Sequence, residues 1–274
     1  MHRLRWRPCP GAIMTTTVPA AKGINRLKSM WRNGQATLGA IATIPSVQTI
    51  QIMAHAGLDW VLIDMEHGAI DAGTAHAMIC ATSGTPLVPL VRVAATNAWQ
   101  AKVPLDLGAL GVCFPMTTTR AAAEAAVRAV RYPPEGDRFW GPFYAPPRWG
   151  LTMREYLDCA DGEVLAIGTI EHVDAIGNIE DIVATPGLDL VFIGPGDLAT
   201  SMGYRGRTDL PEVQAVIAQL ETPILKSRVL LGGVAPTTDL ANAMIARGYR
   251  AVVIGMDWSL LQRGLASVVD GISR

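Results

Sequence analysis

Glu171 and Asp197 each stand at the end of an apolar run, in "VLAIGTIE" and "LDLVFIGPGD", with no Cys or His cluster beside them. Two carboxylates of this kind suit a hard divalent cation in an oxygen shell, with water or substrate filling the remaining positions. A zinc site of three His or Cys ligands finds no supporting spacing. Within "EHVD", Glu171 and His172 point to opposite faces if the strand continues, so only one can face the site. Glu171 is the choice, because Asp197 needs a paired carboxylate. Other chemistry-bearing residues lie at similar boundaries: Asp64, Glu66, His67 and Asp71 in "VLIDMEHGAID", and Arg92 in "PLVPLVRV". Asp106, in "PLDLG", precedes an apolar run rather than ending one and fits the set less well. Gly194 and Gly196 let the backbone turn sharply and bring N–H groups up to an anion, such as a substrate carboxylate. The same stretch lacks the spacing and lysine of a Walker phosphate loop.

Each of these residues also has a plainer use. Carboxylates after strands often cap the next helix. Arg92 and Asp64 could form a buried structural ion pair. His55 and His76 lie among Ala and Met in helical stretches, as packing or surface residues do. One His, one Arg and two carboxylates at the same kind of boundary outweigh any single reading.

The elements that must position them are eight apolar runs: 37–44, 60–65, 86–93, 111–116, 164–171, 188–194, 229–235 and 251–256. Continuous rather than alternating apolar runs mean burial on both faces, as in parallel strands covered by helices. Between them lie stretches that open on Ser, Thr or Asp and close on Gly, the start and stop signals of helices. Eight such alternations predict a (β/α)8 barrel, with a doubly wound open sheet as the alternative. The barrel rim then gathers the strand ends, where the chemistry of this fold sits. Residues 131–150, "RYPPEGDRFWGPFYAPPRWG", are too rich in Pro, Gly and aromatics for a helix or central strand. A loop of that length is a lid, a binding loop or an interface element.

The chain's 274 residues suffice for one barrel, expected over 23–274, with residues 1–22 as a flexible tail. Its 23 Lys and Arg against 24 Asp and Glu give a net charge of -1, which argues against nucleic acid or an anionic membrane as partner. No apolar run reaches the roughly 18 residues a membrane helix requires, and the expectation is a soluble protein. Cys9, Cys80, Cys113 and Cys159 show no CxxC spacing and read as free thiols of a reducing compartment, consistent with the cytoplasm.

With these residues in place, the chain resembles the HpcH/HpaI aldolase family of metal-dependent class II pyruvate aldolases over residues 25–270. The likeness rests on "GLDWVLIDMEHGAID", "PLVRV", "LDLGALGVCFPM", "YPPEGDR", "GTIEHVDAIGNIEDI", "GLDLVFIGPGDLATSMGYRG" and "RAVVIGMDWSLL", in that order. It implies a lyase that reversibly cleaves a 4-hydroxy-2-oxo acid to pyruvate and an aldehyde through a metal-bound pyruvate enolate. Glu171 and Asp197 become the ligands of a divalent cation, with Mg, Mn, Co and Zn all compatible. Arg92 becomes the contact to the keto and enolate oxygen of the 2-oxo acid, and Gly196, Asp197 and Thr169 line the substrate. His67, working with Asp106 through a water, resembles the acid/base group, and Asp64 and Glu66 orient His67 and its loop. The resemblance further implies a homo-hexamer, a trimer of dimers, with the C-terminal helix at about 258–272 exchanged between subunits and Asp106 supplied by a neighbour.

Two departures bear on the substrate. Thr169 stands where better-known members carry Gln, and Phe139, Trp140, Phe143 and Tyr144 replace a Ser/Ala/Arg-rich segment. Such aromatics favour a flatter or more apolar second substrate, or a subunit contact. An oxaloacetate decarboxylase, or an enolate-coupling lyase like macrophomate synthase, remains the alternative, since decarboxylation yields the same pyruvate enolate.

Overall fold

A computed structural model describes residues 23–273. The tail expected over 1–22 lies outside the described residues. Eight strands, β1 (Thr37–Ala42), β2 (Trp60–Asp64), β3 (Val88–Arg92), β4 (Gly111–Phe114), β5 (Leu165–Ile170), β6 (Leu190–Ile193), β7 (Leu230–Val234) and β8 (Ala251–Met256), pair in parallel. They close in sequence order, β8 beside β1. The fold is therefore the expected (β/α)8 barrel, and the open sheet is excluded.

Inward side chains of the strands fill the barrel: Ile41, Trp60, Leu62, Leu90, Ile167, Phe192 and Val253 form one buried cluster. Trp60 fits because its neighbour across the β1–β2 ladder is Gly39, where an added Cβ would fall 2.2 Å from the indole. Its ring Nε1 donates to Thr37 Oγ1 at 3.1 Å, so the one polar atom of the indole is satisfied inside the core. Outward strand residues pack under helices α2 (Val47–His55), α3 (Ala72–Cys80), α4 (Ala98–Asp106), α5 (Arg120–Val130), α8 (Ile179–Val183), α10 (Pro211–Lys226) and α11 (Thr238–Arg247). The short helix α1 (Arg26–Arg32) presses Leu27 and Trp31 against the barrel's interior cluster at the foot, where strands begin.

Three features depart from simple alternation. After α5, residues 131–150 form a long connection that includes only the four-residue helix α6 (Ala145–Arg148). It leads to α7 (Met153–Glu163), a helix marked by the Thr152/Glu155 capping box. After β6, the seven-residue helix α9 (Pro195–Ser201) sits at the rim. Following β8, α12 (Asp257–Val269) is held at its first residue, whose carboxylate accepts from the Thr43 N–H at 2.9 Å, the Thr43 hydroxyl at 2.7 Å and the Ile44 N–H at 2.8 Å. Its other residues are not buried.

Candidate active site

Parallel strands that end together deliver their last side chains to one rim, and the β2–β3 register sets Asp64 directly beside Arg92. Asp64 is fully buried and takes the guanidinium edge-on, accepting from Arg92 Nε at 2.9 Å and Nη2 at 2.6 Å. Asp64 Oδ1 also accepts the backbone N–H groups of Glu66 at 3.1 Å and His67 at 3.3 Å. Burial works against the charged Asp64, but these four donors outweigh it and hold the carboxyl below its usual range. The ion pair weighed for Arg92 is therefore present. It takes up one edge of the guanidinium and fixes its direction, while Nη1 has no hydrogen-bond partner among the described residues.

Glu171, the residue after β5, is buried and points inward, whereas His172 turns aside to cap the following 3-10 helix by accepting from the Asp174 N–H at 3.2 Å. Glu171 Oε1 accepts the Met116 N–H at 2.7 Å, a donor aimed there by a left-handed backbone at Met116, φ 53°. Burial is the main reason the Glu171 carboxyl is pushed up to about 7; nearby Glu66 and Asp197 add to the rise, and the Met116 N–H and Arg92 oppose it. Burial also raises Glu66, whose Oε2 has no well-aligned hydrogen bond although Arg92 Nε is 3.3 Å away.

Asp197 stands in the first turn of α9 and is exposed, as is His67, whose Nε2 lies 3.8 Å from Glu66 Oε2. Thr169, two residues before Glu171 on the same face of β5, is buried with its hydroxyl 3.4 Å from Cys113 Sγ. Neither glycine of the β6–α9 turn adopts a positive φ, so the expected sharp turn is made without left-handed backbone. What Gly194 supplies is room: an added Cβ would lie 3.0 Å from Glu171 Cβ and 3.1 Å from its Oε2. A Cβ on Gly196 would meet nothing within 4 Å.

Asp106 does not join this group within one chain. It is the last residue of α4, which runs from the rim back to the foot, and it faces Arg138. The long aromatic connection likewise lies on the outer flank: Phe139 stacks on Trp99 of α4 at 5.3 Å, and Tyr144 meets His76 of α3 at 5.2 Å. Asp71 takes the plainer role, accepting the Thr74 N–H at 2.7 Å as the cap of α3. The residue underrated in the sequence is Glu66, whose Oε2 comes within 3.3 Å of Arg92 Nε in addition to its place in the His67 loop. Its signal was the β2–β3 neighbour relation, which needs the register.

Among the described residues no group of three or more His, Cys, Asp and Glu side chains forms a metal-ligating cluster. The donor chemistry nevertheless fits a divalent cation. Three carboxylates, Glu66, Glu171 and Asp197, act on one another electrostatically with Arg92 as the cation facing them, and Glu66 Oε2 makes no hydrogen bond among the described residues.

The sequence model of the HpcH/HpaI aldolase/citrate lyase family matches residues 44–263. A hydroxypyruvate/pyruvate aldolase from Pseudomonas aeruginosa is 35% identical over 243 residues, covering 88% of this chain and 90% of that one. A 4-hydroxy-2-oxo-heptane-1,7-dioate aldolase from Escherichia coli is 35% identical over 245 residues, covering 87% and 91%. Among solved structures, a HpcH/HpaI aldolase/citrate lyase family protein from Burkholderia cenocepacia superposes with a TM-score of 0.84 at 32% identity, covering 90% and 98%.

Proposed function

Because the chain belongs to the HpcH/HpaI aldolase/citrate lyase family and is a carbon–carbon lyase, we propose that its rim performs divalent-metal-dependent, reversible retro-aldol cleavage of a 4-hydroxy-2-oxo acid to pyruvate and an aldehyde. The observation that carries this reading is the buried Glu171 carboxylate, raised to about 7 among neighbouring carboxylates and facing a clamped arginine. Burial of that charge first, and the crowding of like charge second, are costly unless a cation is bound.

Glu171 and Asp197 would hold the cation, with Mg, Mn, Co and Zn as candidates. When bound it supplies a Lewis acid for the keto oxygen of the 2-oxo acid. Arg92, prevented from swinging by Asp64, presents its free end to the charge that gathers on that oxygen. His67 is exposed and free to take the 4-hydroxyl proton, directly or through a water. As the proton leaves, the C3–C4 bond breaks, its electrons pass into the pyruvate enolate, and C4 becomes the aldehyde carbonyl. Thr169 and the Gly196 backbone complete the 2-oxo acid side of the pocket.

Asp106 would assist His67 from another copy. Support for an oligomer comes from α12, which exposes Trp258, Leu261, Leu265 and Val268 along one side, and from Trp99, Phe139, Trp140 and Phe143 on the flank that carries Asp106. An apolar helix face of that kind needs a partner. A trimer of dimers with exchanged C-terminal helices, working in the cytoplasm, is the assembly we assign. No helix of the described residues is long and apolar enough to cross a membrane.

Pyruvate release coupled to lactate dehydrogenase, with and without EDTA, tests the reading across a panel of 4-hydroxy-2-oxo acids and oxaloacetate. Turnover that survives thorough chelation would sink it. Oxaloacetate decarboxylation is the second reading, favoured by the fact that Glu171, Asp197 and Arg92 meet in one chain whereas the His67–Asp106 pair does not. It wins if oxaloacetate has the highest kcat/KM in the panel.

A further inference from the structure

Arg138 closes the "YPPEGDR" stretch and has a side chain with no exposed surface. Its Nη2 donates to Tyr156 Oη at 2.7 Å and lies 3.4 Å from Asp106 Oδ1. The guanidinium carbon sits 4.5 Å from the ring centre of Tyr132 and 5.6 Å from that of Tyr156. Nε, Nη1 and the Tyr132 hydroxyl have no hydrogen-bond partner among the described residues. As a device for stability this is poor, because a buried guanidinium is worth its desolvation only when its donors are well matched, and an apolar side chain often serves better.

Asp106 breaks a local rule of its own. It is an acid at the C-terminal end of α4, where the helix dipole disfavours negative charge. Burial raises its carboxyl further, and Arg138 with Lys102 pulls the other way. Two unfavourable placements that meet at one ion pair point to function rather than to packing. The contact also has a direction. Oδ1 faces Arg138, whereas Oδ2 lies close under the loop at Gly141, where an added Cβ would crowd it at 3.3 Å, so the glycine keeps that oxygen clear.

We propose that Arg138 is a positioning residue for proton transfer: gripped by Tyr156 and flanked by Tyr132, it holds Asp106 by Oδ1 and so turns Oδ2 toward the aromatic flank. This rests on the reading that Asp106 shares in removing the 4-hydroxyl proton. Arg138 itself touches no substrate and acts through Asp106 alone. Its contribution should therefore appear only in a reaction that needs that proton moved.

Two reactions of the same site separate this role from a structural one. Cleavage of 4-hydroxy-2-oxopentanoate needs the hydroxyl proton removed, whereas oxaloacetate yields the enolate by losing carbon dioxide and has no such proton. The full-length Arg138→Met, Arg138→Lys and Tyr156→Phe variants are compared with wild type at saturating Mg2+, reading both rates. The ratio of aldol cleavage to decarboxylation should fall about tenfold or more in Arg138→Met, and by less in Arg138→Lys, which keeps the charge. Tyr156→Phe, which keeps the charge but removes the anchor, should lower the ratio about threefold. Equal losses in both reactions, in any variant whose circular dichroism is native, would overturn the proposal. Should Arg138→Met fail to fold, Arg138→Lys and Tyr156→Phe decide it. Asp106→Asn distinguishes the underlying reading: if it leaves the ratio unchanged, Asp106 is not in the proton path. If it lowers the ratio while the folded Arg138 and Tyr156 variants do not, only the role of Arg138 falls.

Discussion

Arg92 and Glu171 show how a buried charged side chain is tuned by its neighbours. Removing Arg92 strands Asp64, a fully buried carboxylate, so Arg92→Met should cost stability as well as turnover, by about 3 kcal/mol. Adding Asp64→Asn should recover most of that stability in urea titrations and none of the turnover. A double variant no more stable than the single one would refute the pairing argument. Glu171 behaves in the opposite sense. Its folded carboxyl titrates near 7 against an ordinary value of 4.5, so the folded metal-free protein binds the proton more tightly than the unfolded chain does. Its stability should therefore fall as pH rises from 4.5 to about 7 and then level off. Glu171→Gln keeps an oxygen for the Met116 N–H and removes the titration. In EDTA at pH 8 it should be more stable than wild type by on the order of 2 kcal/mol, with the gap closing toward pH 4.5. Parallel stability curves across that range would refute the assignment.

At the scale of elements, the site depends on how strands end. β5 stops at Ile170, and the next residue turns inward because the left-handed Met116 after β4 offers its N–H and the β6–α9 turn leaves space at Gly194. Gly194→Ala should push the Glu171 carboxylate aside and weaken metal affinity about tenfold, seen as a higher Mg2+ concentration for half-maximal activity, with an overpacking cost to stability of about 1 kcal/mol. An unchanged metal dependence would mean that the carboxylate finds its place without that gap. The long connection after α5 is the other informative element. Pro and aromatic content marked it as irregular, but only the structure puts it along α4 on the outer flank, with Phe139 against Trp99 in that helix's first turn.

At the scale of the molecule, one chain holds Asp106 at the foot of α4 and His67 at the rim, so their cooperation requires a second copy. Mixing His67→Ala and Asp106→Asn chains, each impaired alone, and refolding them together should restore about a quarter of wild-type aldol activity, the share of sites that draw both intact residues from different chains. A mixture no more active than its components would leave Asp106 without a catalytic part. Leu261→Asp with Leu265→Asp should split the assembly, as measured by sedimentation velocity.

The eight strands, the barrel and the rim carboxylates were legible in the sequence, because burial on both faces writes continuous apolar runs and strand ends are marked by abrupt charge. Family membership followed from motifs that keep their order along the chain. Of the lateral pairs, the sequence offered Asp64 with Arg92 as one alternative, but it did not reveal Met116 N–H against Glu171, the close approach at Gly194, or Arg138 against Asp106. These pairs are separated by 28, 55, 23 and 32 positions. Only closing the barrel and laying the aromatic connection along its flank bring them into contact, since side-chain register across elements is decided by tertiary packing rather than by local spacing.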